Sequence, residues 1–198
     1  MDSSEARPES TDCVMLAAGE STRMGAFKLM LPARGSTVVE SSVASALAAG
    51  CRVLLVVGHR GWQLRELFAG RGGVTIVENQ NYRSGMFSSI RAGVSQVQTR
   101  RFFIALGDMP LIEPEIYRLL TTFDHADAVR PTFDGRKGHP VLMVRDLIDT
   151  IRKYDDSRSM SDVLLGRVVR EVPVSDPSVL YDVDTPTDYA ELPDAGEE

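Results

Sequence analysis

The residues best suited to a chemical role lie in a glycine-containing segment, residues 16–28, near the amino end of the chain. Its notable members are Leu16, Ala17, Ala18, Gly19, Arg23, Gly25 and Lys28. Glycine permits sharp turns and a close approach of the backbone to a ligand, which leaves main-chain N–H groups free to donate. Arg23 adds a planar fork of donors and Lys28 a compact positive charge, and both suit a polyphosphate. The segment therefore predicts an anion-binding loop, with a solvated strand-to-helix connection as the simpler alternative.

This segment departs from two common nucleotide-binding motifs. Five residues separate Gly19 from Gly25, and no Gly-Lys-Ser/Thr follows, so the spacing is not that of a P-loop. It also fails to match the G-x-G-x-x-G motif of dinucleotide-binding folds. The pattern favours a phosphate-binding loop of another kind.

A carboxylate suited to a metal ion follows a later apolar run. Asp108 comes directly after residues 102–106 and a glycine, and open α/β sheets bind ligands beyond the carboxyl ends of their strands. Proteins hold Mg²⁺ by one or two carboxylates together with substrate phosphates and water. We therefore interpret Asp108 as a metal ligand opposite the anion-binding loop, with a turn-forming role as the alternative.

A second acidic pair lies near the carboxyl end of the chain. Asp182 and Asp184 flank Val183, so on an extended chain both carboxylates point to the same face. Either one could complete a metal site with Asp108. Asp184 also precedes a predicted helix start at Thr185, where the helix dipole favours an acid. The residues alone leave these alternatives open.

Two further segments carry polar groups beside glycines. Gly85, Ser88 and Ser89 lie at a predicted helix start, where free N–H groups and hydroxyls could contact a base or ribose. Ordinary capping by Ser84 accounts for the same residue types. Residues 135–140, Gly-Arg-Lys-Gly-His-Pro, form a cationic connection between two strands. This connection could close over an anionic substrate or remain a solvated hairpin loop.

Apolar runs that alternate with helical patterns must position these candidates. The predicted strands of the first half are residues 13–16, 52–58, 74–77 and 102–106. Between them, apolar residues recur at helical spacing after Thr37, from about Gly61 and from Met86. The alternation predicts an α/β fold with a single open, mostly parallel, twisted sheet, helices on both faces and right-handed crossovers.

The second half has a looser pattern. A strand pair is predicted at residues 128–131 and 140–144, and an edge strand at residues 168–174, where charges interrupt the apolar residues. Helices are predicted at residues 144–153, after a capping box of Ser159 and Asp162, and after Thr185. Each of these helices has an apolar face or a cap in the expected place.

Length and composition bound the class of protein. The 198 residues suit one domain, which we place at 12–192, with disordered tails at 1–11 and 193–198. A net charge of -6 argues against nucleic acid as a partner. No apolar run is long enough for a membrane span, and no signal peptide is evident at the amino end. The two cysteines form no disulfide framework, so we expect a cytoplasmic location.

The first segment resembles the opening motif of a family of nucleotidyltransferases. Its pattern reads Leu16-Ala17-Ala18-Gly19-x-Ser21-x-Arg23-Met24-Gly25-x-x-Lys28. The resemblance is closest to the molybdenum cofactor cytidylyltransferases and extends over nearly the whole chain from Asp12 to Leu192. It implies a Rossmann-like nucleotidyltransferase fold, an NTP as substrate, Mg²⁺ as cofactor and pyrophosphate as product.

The resemblance also implies roles for particular residues. It implies that the nucleotide-binding residues are Leu16, Ala17, Ala18, Gly19, Arg23, Gly25, Lys28, Asn79, Gly85, Ser88, Ser89 and Asp108. It assigns catalysis to Arg23, Lys28 and Asp108. It assigns the metal to Asp108 and Asp184, since relatives end in a similar Asp-Thr-Pro-x-Asp run. A similar Gly-His-Pro loop implies that the acceptor-binding residues are Arg136, Gly138, His139 and Pro140.

The same resemblance bears on the substrates. Ala17-Ala18-Gly19 is similar to the cytidylyl-transferring members, whereas guanylyl-transferring relatives have Leu-Ala-Gly-Gly, so CTP is the expected donor. The Ala18 methyl group would also narrow a base pocket against a purine. The expected acceptor is an anionic phosphate such as molybdopterin, although residues 154–159 depart from the family's glycine-rich pattern. A molybdoenzyme or its chaperone is the expected downstream partner.

Three alternatives remain at this stage. Two lie within the enzyme class, namely a guanylyltransferase and a sugar- or isoprenoid-phosphate cytidylyltransferase. The third is a non-catalytic maturation factor that binds a nucleotide or molybdopterin and passes it to an apo-enzyme. Release of pyrophosphate would separate the enzymes from the carrier.

Overall fold

A computed structural model describes residues 10–193 and shows the predicted open, mostly parallel sheet. Its strands are β1 (Asp12–Ala17), β2 (Pro32–Ala33), β3 (Ser36–Thr37), β4 (Arg52–Val57), β5 (Val74–Glu78), β6 (Arg101–Leu106), β7 (Ala128–Phe133), β8 (Arg136–Lys137), β9 (Val141–Val144) and β10 (Val169–Pro173). The main sheet has eight strands, seven of them in the order β10-β7-β9-β6-β1-β4-β5, with β8 paired to β7. The tails beyond residues 10–193 lie outside the described part of the chain.

The centre of the sheet consists of parallel strands that are buried on both faces. β1 pairs in parallel with β4 and with β6, and β4 pairs in parallel with β5. β1, β4 and β6 have near-continuous apolar sequences, which is the expected pattern for strands covered by helices on each side, whereas β5 lies at an edge. Consequently the carboxyl ends of β1, β4, β5 and β6 lie along one edge of the sheet.

The antiparallel part of the sheet comes from the second half of the chain. β9 lies between β6 and β7 and is antiparallel to both, which confirms the predicted strand pair. β10 pairs only with β7 and forms an edge of the sheet, as its charged residues predict. The β2–β3 hairpin of residues 32–37 was not predicted, because its strands are too short for periodicity to show.

Helices cover both faces of the sheet. They are α1 (Val38–Ala48), α2 (Gly61–Leu67), α3 (Met86–Val94), α4 (Pro114–Thr121), α5 (Leu147–Lys153), α6 (Met160–Leu164) and α7 (Pro186–Ala190). Reciprocal capping boxes begin α1 at Thr37, α6 at Ser159 and α7 at Thr185. The helix predicted from residue 144 begins only at Leu147, since β9 extends to Val144. Within residues 10–193, no helix is both long and apolar enough to span a membrane.

Helix α3 packs unusually close to the sheet. A Cβ atom on Gly93 would lie 2.2 Å from Cγ1 of Val14 in β1 and 2.8 Å from Cγ2 of Val56 in β4. Only glycine permits this approach without displacing two buried strands. The position of the α3 amino end, which carries Ser88 and Ser89, therefore depends on contacts at Gly93.

We expect Gly93→Ala to lower the free energy of unfolding by about 1–3 kcal/mol, because the added methyl group overpacks the core. This change corresponds to a fall in Tm of roughly 2–4 °C per kcal/mol, measured by thermal denaturation. Gly72→Ala is the control, since a Cβ there has no heavy atom within 4 Å. Equal Tm values for the two variants would contradict the close packing of α3.

Candidate active site

A cavity of about 400 Å³ opens at the carboxyl edge of the sheet, above β1 and β6. It is lined by Leu16, Ala17, Ala18, Gly19, Glu20, Ser21, Thr22, Arg23, Lys28, Leu29, Tyr82, Gly85, Met86, Ser89, Leu106, Asp108, Asp182 and Asp184. Most of the anion-binding loop, the helix start at Gly85 and both acidic segments thus meet in one place. Such an edge is where open α/β sheets bind ligands.

The anion-binding loop turns at two residues in the left-handed region. Ser21 has φ 55° and Gly25 has φ 65°, and these two positions flank a short 3-10 helix that contains Arg23. A second 3-10 helix begins at Lys28, and buried Leu29 anchors it to the core. The loop is therefore held at both ends, and its two cations project into the cavity.

Three carboxylates converge at the far wall of the cavity. Oxygen atoms of Asp108, Asp182 and Asp184 lie within 4.8 Å of one another. The backbone N–H of Val183 donates to the carbonyl oxygen of Asp108 over 2.9 Å, which joins the two distant segments directly. Val183 itself is fully buried, so the acids on either side of it both face the cavity. Sequence reasoning left Asp182 and Asp184 as alternatives, whereas the structure brings both of them to Asp108.

Two cations pair with two of these acids, Asp108 and Asp184. Nζ of Lys28 lies 2.6 Å from Asp108 and 2.7 Å from Asp184, and Arg23 lies 2.6 Å from Asp184. The Lys28 side chain is only 11% exposed, whereas that of Arg23 is 68% exposed. Lys28 therefore forms the better shielded ion pairs, and Arg23 remains largely in solvent.

The charge balance shifts the pKa values of the site. Burial by itself lowers the pKa of Lys28, but the carboxylates of Asp108 and Asp184 outweigh burial and raise it. Burial raises the pKa of Asp184, yet Lys28 and Arg23 reverse that effect and lower it. Asp182 lacks a comparable cation, so burial, followed by the charges of Asp184 and Asp108, raises its pKa. A further positive charge near Asp182 would therefore stabilise the cluster.

The acidic cluster fits a divalent metal ion. Three carboxylates whose oxygens lie this close form the hard, all-oxygen ligand set that Mg²⁺ and Mn²⁺ prefer. The cluster also faces the loop that would hold phosphate groups, which commonly complete the coordination of such ions. The family resemblance predicts Asp108 and Asp184 as metal ligands, and Asp182 lies close enough to both to be a third candidate.

The wall opposite the acids consists of small and aromatic residues. Ala18 is buried beside Gly58, where an added Cβ would lie 3.0 Å from the Ala18 Cβ and 2.6 Å from the Tyr82 Cβ. Tyr82 lines the cavity, but no sequence motif identified it beforehand. Its position follows from the three-dimensional proximity of the ends of β1 and β4 to the loop after β5. These residues form a partly apolar surface suited to a base.

The predicted nucleotide-binding residues after β5 divide into two groups. Gly85 and Ser89 line the cavity. Asn79 and Ser88 instead line a groove on the other side of the same loop, and both are nearly fully buried. The side-chain amide of Asn79 donates to both serine hydroxyls, at 2.8 Å to Ser88 and 3.0 Å to Ser89.

The predicted acceptor-binding residues lie on the other side of Asp108. Arg136 is exposed on β8, and Gly138 packs so closely on residue 179 that an added Cβ would lie 2.6 Å from the Val179 carbonyl oxygen. His139 and Pro140 lead into β9, which flanks β6 on the side away from β1. Burial lowers the pKa of His139, and the charge of Asp108 partly opposes it. The geometry thus separates this loop from the wall formed by Ala18 and Tyr82.

Comparison with known proteins agrees with this geometry. A sequence profile described as the MobA-like NTP transferase domain matches residues 13–172. The molybdenum cofactor cytidylyltransferase of Escherichia coli (strain K12) is 34% identical over 178 residues, which cover 90% of this chain and 93% of that protein. The nicotine blue oxidoreductase of Paenarthrobacter nicotinovorans is 31% identical over 185 residues, which cover 87% and 91% respectively.

A solved structure shows the same fold with a metal bound. The crystal structure of Rv0371c from Mycobacterium tuberculosis H37Rv in complex with manganese superposes with a TM-score of 0.76 and 26% sequence identity. The superposition covers 92% of this chain and 97% of that one. A protein similar to this chain therefore holds a divalent ion, in keeping with the acidic cluster.

We expect Asn substitutions at Asp108, Asp182 and Asp184 to weaken Mn²⁺ binding, measured by electron paramagnetic resonance of free Mn²⁺. Loss of an outer-shell partner alone typically weakens metal affinity about 10- to 100-fold, and loss of a direct ligand should cost at least as much. Asp149→Asn, in an exposed position on α5, is the matched control. An affinity for Mn²⁺ in all three site variants equal to that of the control would contradict a metal site here.

Proposed function

Because the chain belongs to the MobA-like NTP transferase family, we propose that it is a Mg²⁺-dependent cytidylyltransferase that acts on molybdopterin or the molybdenum cofactor. The reaction would join the cytidylyl group of CTP to the terminal phosphate of the acceptor and release pyrophosphate. The observation that carries the proposal is the convergence of an anion-binding loop with three carboxylates in one cavity. The name of the Escherichia coli relative supports the choice of substrates.

The site, rather than the fold, selects this reaction class. One similar protein is named an oxidoreductase, and a shared fold supports many chemistries. In this chain the cavity holds paired cations and carboxylates, which suit the binding of a polyphosphate with a divalent ion. These groups are the ones that phosphorus-transfer reactions require for charge stabilisation.

The proposed step is an in-line displacement at the α-phosphorus. An oxygen of the acceptor phosphate forms a new bond to that phosphorus, while the bond to the oxygen bridging to the β-phosphorus breaks and pyrophosphate leaves. Lys28, Arg23 and the backbone N–H groups of residues 19–25 would stabilise negative charge on the departing phosphates. A phosphate monoester is already anionic near neutral pH, so the chain need not supply a general base. The chain's contribution is positioning and charge stabilisation.

The metal site completes this assignment. Asp108, Asp182 and Asp184 would hold Mg²⁺, whose charge, when bound, neutralises phosphate oxygens and polarises the reacting phosphorus. In the structure, the ammonium group of Lys28 lies between Asp108 and Asp184. In the proposed complex Lys28 would turn from these acids towards the phosphates.

The two substrates would occupy opposite sides of the acids. Ala17, Ala18, Gly19, Gly85 and Ser89 line the cavity and would bind CTP. Arg136, Gly138, His139 and Pro140 would bind the acceptor across Asp108. The product would then pass to a molybdoenzyme or its chaperone, and we place the reaction in the cytoplasm.

We expect Lys28→Ala to reduce pyrophosphate release by at least 100-fold, because the variant loses a positive charge that would stabilise the leaving group. The assay follows pyrophosphate with Mg²⁺, CTP and molybdopterin. Lys153→Ala, on the exposed end of α5, is the control for removal of a lysine. Circular dichroism should show the fold of Lys28→Ala intact, and near wild-type turnover by this variant would refute the role of Lys28.

We expect the wild-type protein to favour CTP over GTP by at least tenfold in kcat/KM, which corresponds to about 1.4 kcal/mol. The physical reason is that the methyl group of buried Ala18, packed beside Gly58 and Tyr82, reduces the space available for a purine base. Ala18→Gly should reduce this preference by widening the pocket. Faster turnover of GTP by the wild-type protein would overturn the assignment of the donor and favour a guanylyltransferase.

A further inference from the structure

A buried amide group lies directly behind the wall of the cavity, at the carboxyl end of β5. Asn79 is 6% exposed, and Ser88 and Ser89 are each 4% exposed. Asn79 Nδ2 donates to the hydroxyl oxygen of Ser88 over 2.8 Å and to that of Ser89 over 3.0 Å. Of these three residues, only Ser89 lines the cavity. Asn79 therefore reaches the cavity only through a serine.

The orientation of the Asn79 amide is fixed by its third hydrogen bond. The backbone N–H of Asn81 lies 2.9 Å from Oδ1 of Asn79. A backbone N–H can only donate, so the atom that it contacts must be the amide oxygen. The amide nitrogen consequently faces the two serines, and each of its two hydrogens has one hydroxyl oxygen to bind.

The two serine hydroxyls differ in where their own protons go. Ser88 Oγ lies 2.8 Å from the carbonyl oxygen of Gly85 and 3.0 Å from that of Asn81, so its proton is used within the loop. Ser89 Oγ accepts from Asn79, and its proton has no acceptor among residues 10–193. The Ser89 hydroxyl is therefore left as a donor beside the cavity.

We propose that Asn79 is a positioning residue that makes Ser89 a hydrogen-bond donor to the nucleoside of the substrate. The proposal rests on the proposed function, because it requires a nucleotide in this cavity. The group that Ser89 recognises is an acceptor oxygen, either a base carbonyl or a ribose hydroxyl. The proposal changes the role predicted for Asn79, which acts on the nucleotide through Ser89 rather than by touching it.

The geometry explains why Asn79 is needed. A serine in the first turns of a helix readily turns its hydroxyl to a backbone carbonyl one turn earlier, as Ser88 does towards Gly85. The hydrogen bond from Asn79 occupies a lone pair of Ser89 and opposes that rotation. Contacts of Gly93 with β1 and β4 fix the helix itself. The hydroxyl oxygen is thus held in place before the nucleotide binds, with its proton left to donate.

The first test compares two serines in the same network by isothermal titration with Mg²⁺ and CTP. Ser89→Ala should weaken CTP binding roughly three- to tenfold, the usual value of one hydrogen bond. Ser88→Ala also removes one hydroxyl group that accepts a hydrogen bond from the Asn79 amide, so it controls for disruption of the network. We expect the loss of affinity to be clearly larger for Ser89→Ala, with KM raised and kcat nearly constant. Equal losses in the two variants would overturn the proposal.

The second test examines Asn79 itself. Asn79→Asp replaces the donating amide with an accepting carboxylate, which would capture the Ser89 proton and weaken CTP binding about as much as Ser89→Ala. In the Ser89→Ala background the same substitution should cause no further loss, because its target is already absent. Asn79→Ala serves in its place if the buried carboxylate prevents folding. Additive losses would show that Asn79 acts independently of Ser89 and would refute the proposal.

A third comparison identifies the recognised atom. If Ser89 contacts the ribose, 2′-deoxy-CTP or 3′-deoxy-CTP should bind Ser89→Ala and wild-type protein equally. If it contacts the base, both analogues should show the full difference between the two proteins. Failure of wild-type protein to bind any NTP would instead refute the proposed function. If the wild-type protein binds CTP and Ser89→Ala binds it with the same affinity, this inference alone is refuted.

Discussion

The structure of the site depends on Lys28, whose ammonium group lies between the carboxylates of Asp108 and Asp184. Two ionised oxygens 4.8 Å apart repel each other by on the order of 3 kcal/mol at an effective dielectric constant of about 20. With Asp182 included, three such groups lie within that distance. Lys28 and Arg23 are also the side chains that the proposed reaction assigns to the phosphates. A nucleotide can draw them away only if another positive charge takes their place beside the acids, which accounts physically for a divalent ion.

The fold brings these groups together from distant parts of the chain. β1 leads into the cation-bearing loop, and β6, its parallel neighbour, leads into Asp108. The hydrogen bond from Val183 to the Asp108 carbonyl then attaches the last segment of the chain, with its two acids. The sheet also changes its direction of growth at β1, because the strands that follow β1 in the chain lie first on one side of it (β4 and β5) and then on the other (β6). The crevice at such a reversal is the expected ligand position in an open α/β sheet.

Much of this arrangement follows from local sequence patterns. Apolar runs locate the central strands, and the cap residues Thr37 and Ser159 locate helix starts. Asp108 stands out because it closely follows a buried strand. Asp182 remained undecided because spacing shows that two acids share a face, whereas only the tertiary hydrogen bond of Val183 shows which face meets Asp108. Tyr82 had no local signal, since its place in the cavity wall depends on the packing of its loop against Gly58, which directly follows β4. Sequence patterns record periodicity and caps, but they do not record contacts between distant segments.

The hydrogen-bond network around Asn79 is another feature that sequence patterns do not record. The family resemblance predicts that Asn79, Ser88 and Ser89 bind a nucleotide, yet residue types alone do not distinguish a group that touches a ligand from one that orients its neighbour. The distinction comes from counting donors and acceptors. The N–H of Asn81 fixes the amide, the carbonyls of Gly85 and Asn81 take the proton of Ser88, and one hydroxyl proton is left facing the cavity. Because buried polar groups in proteins are almost always paired, that remaining donor is the group for which a ligand would supply the partner.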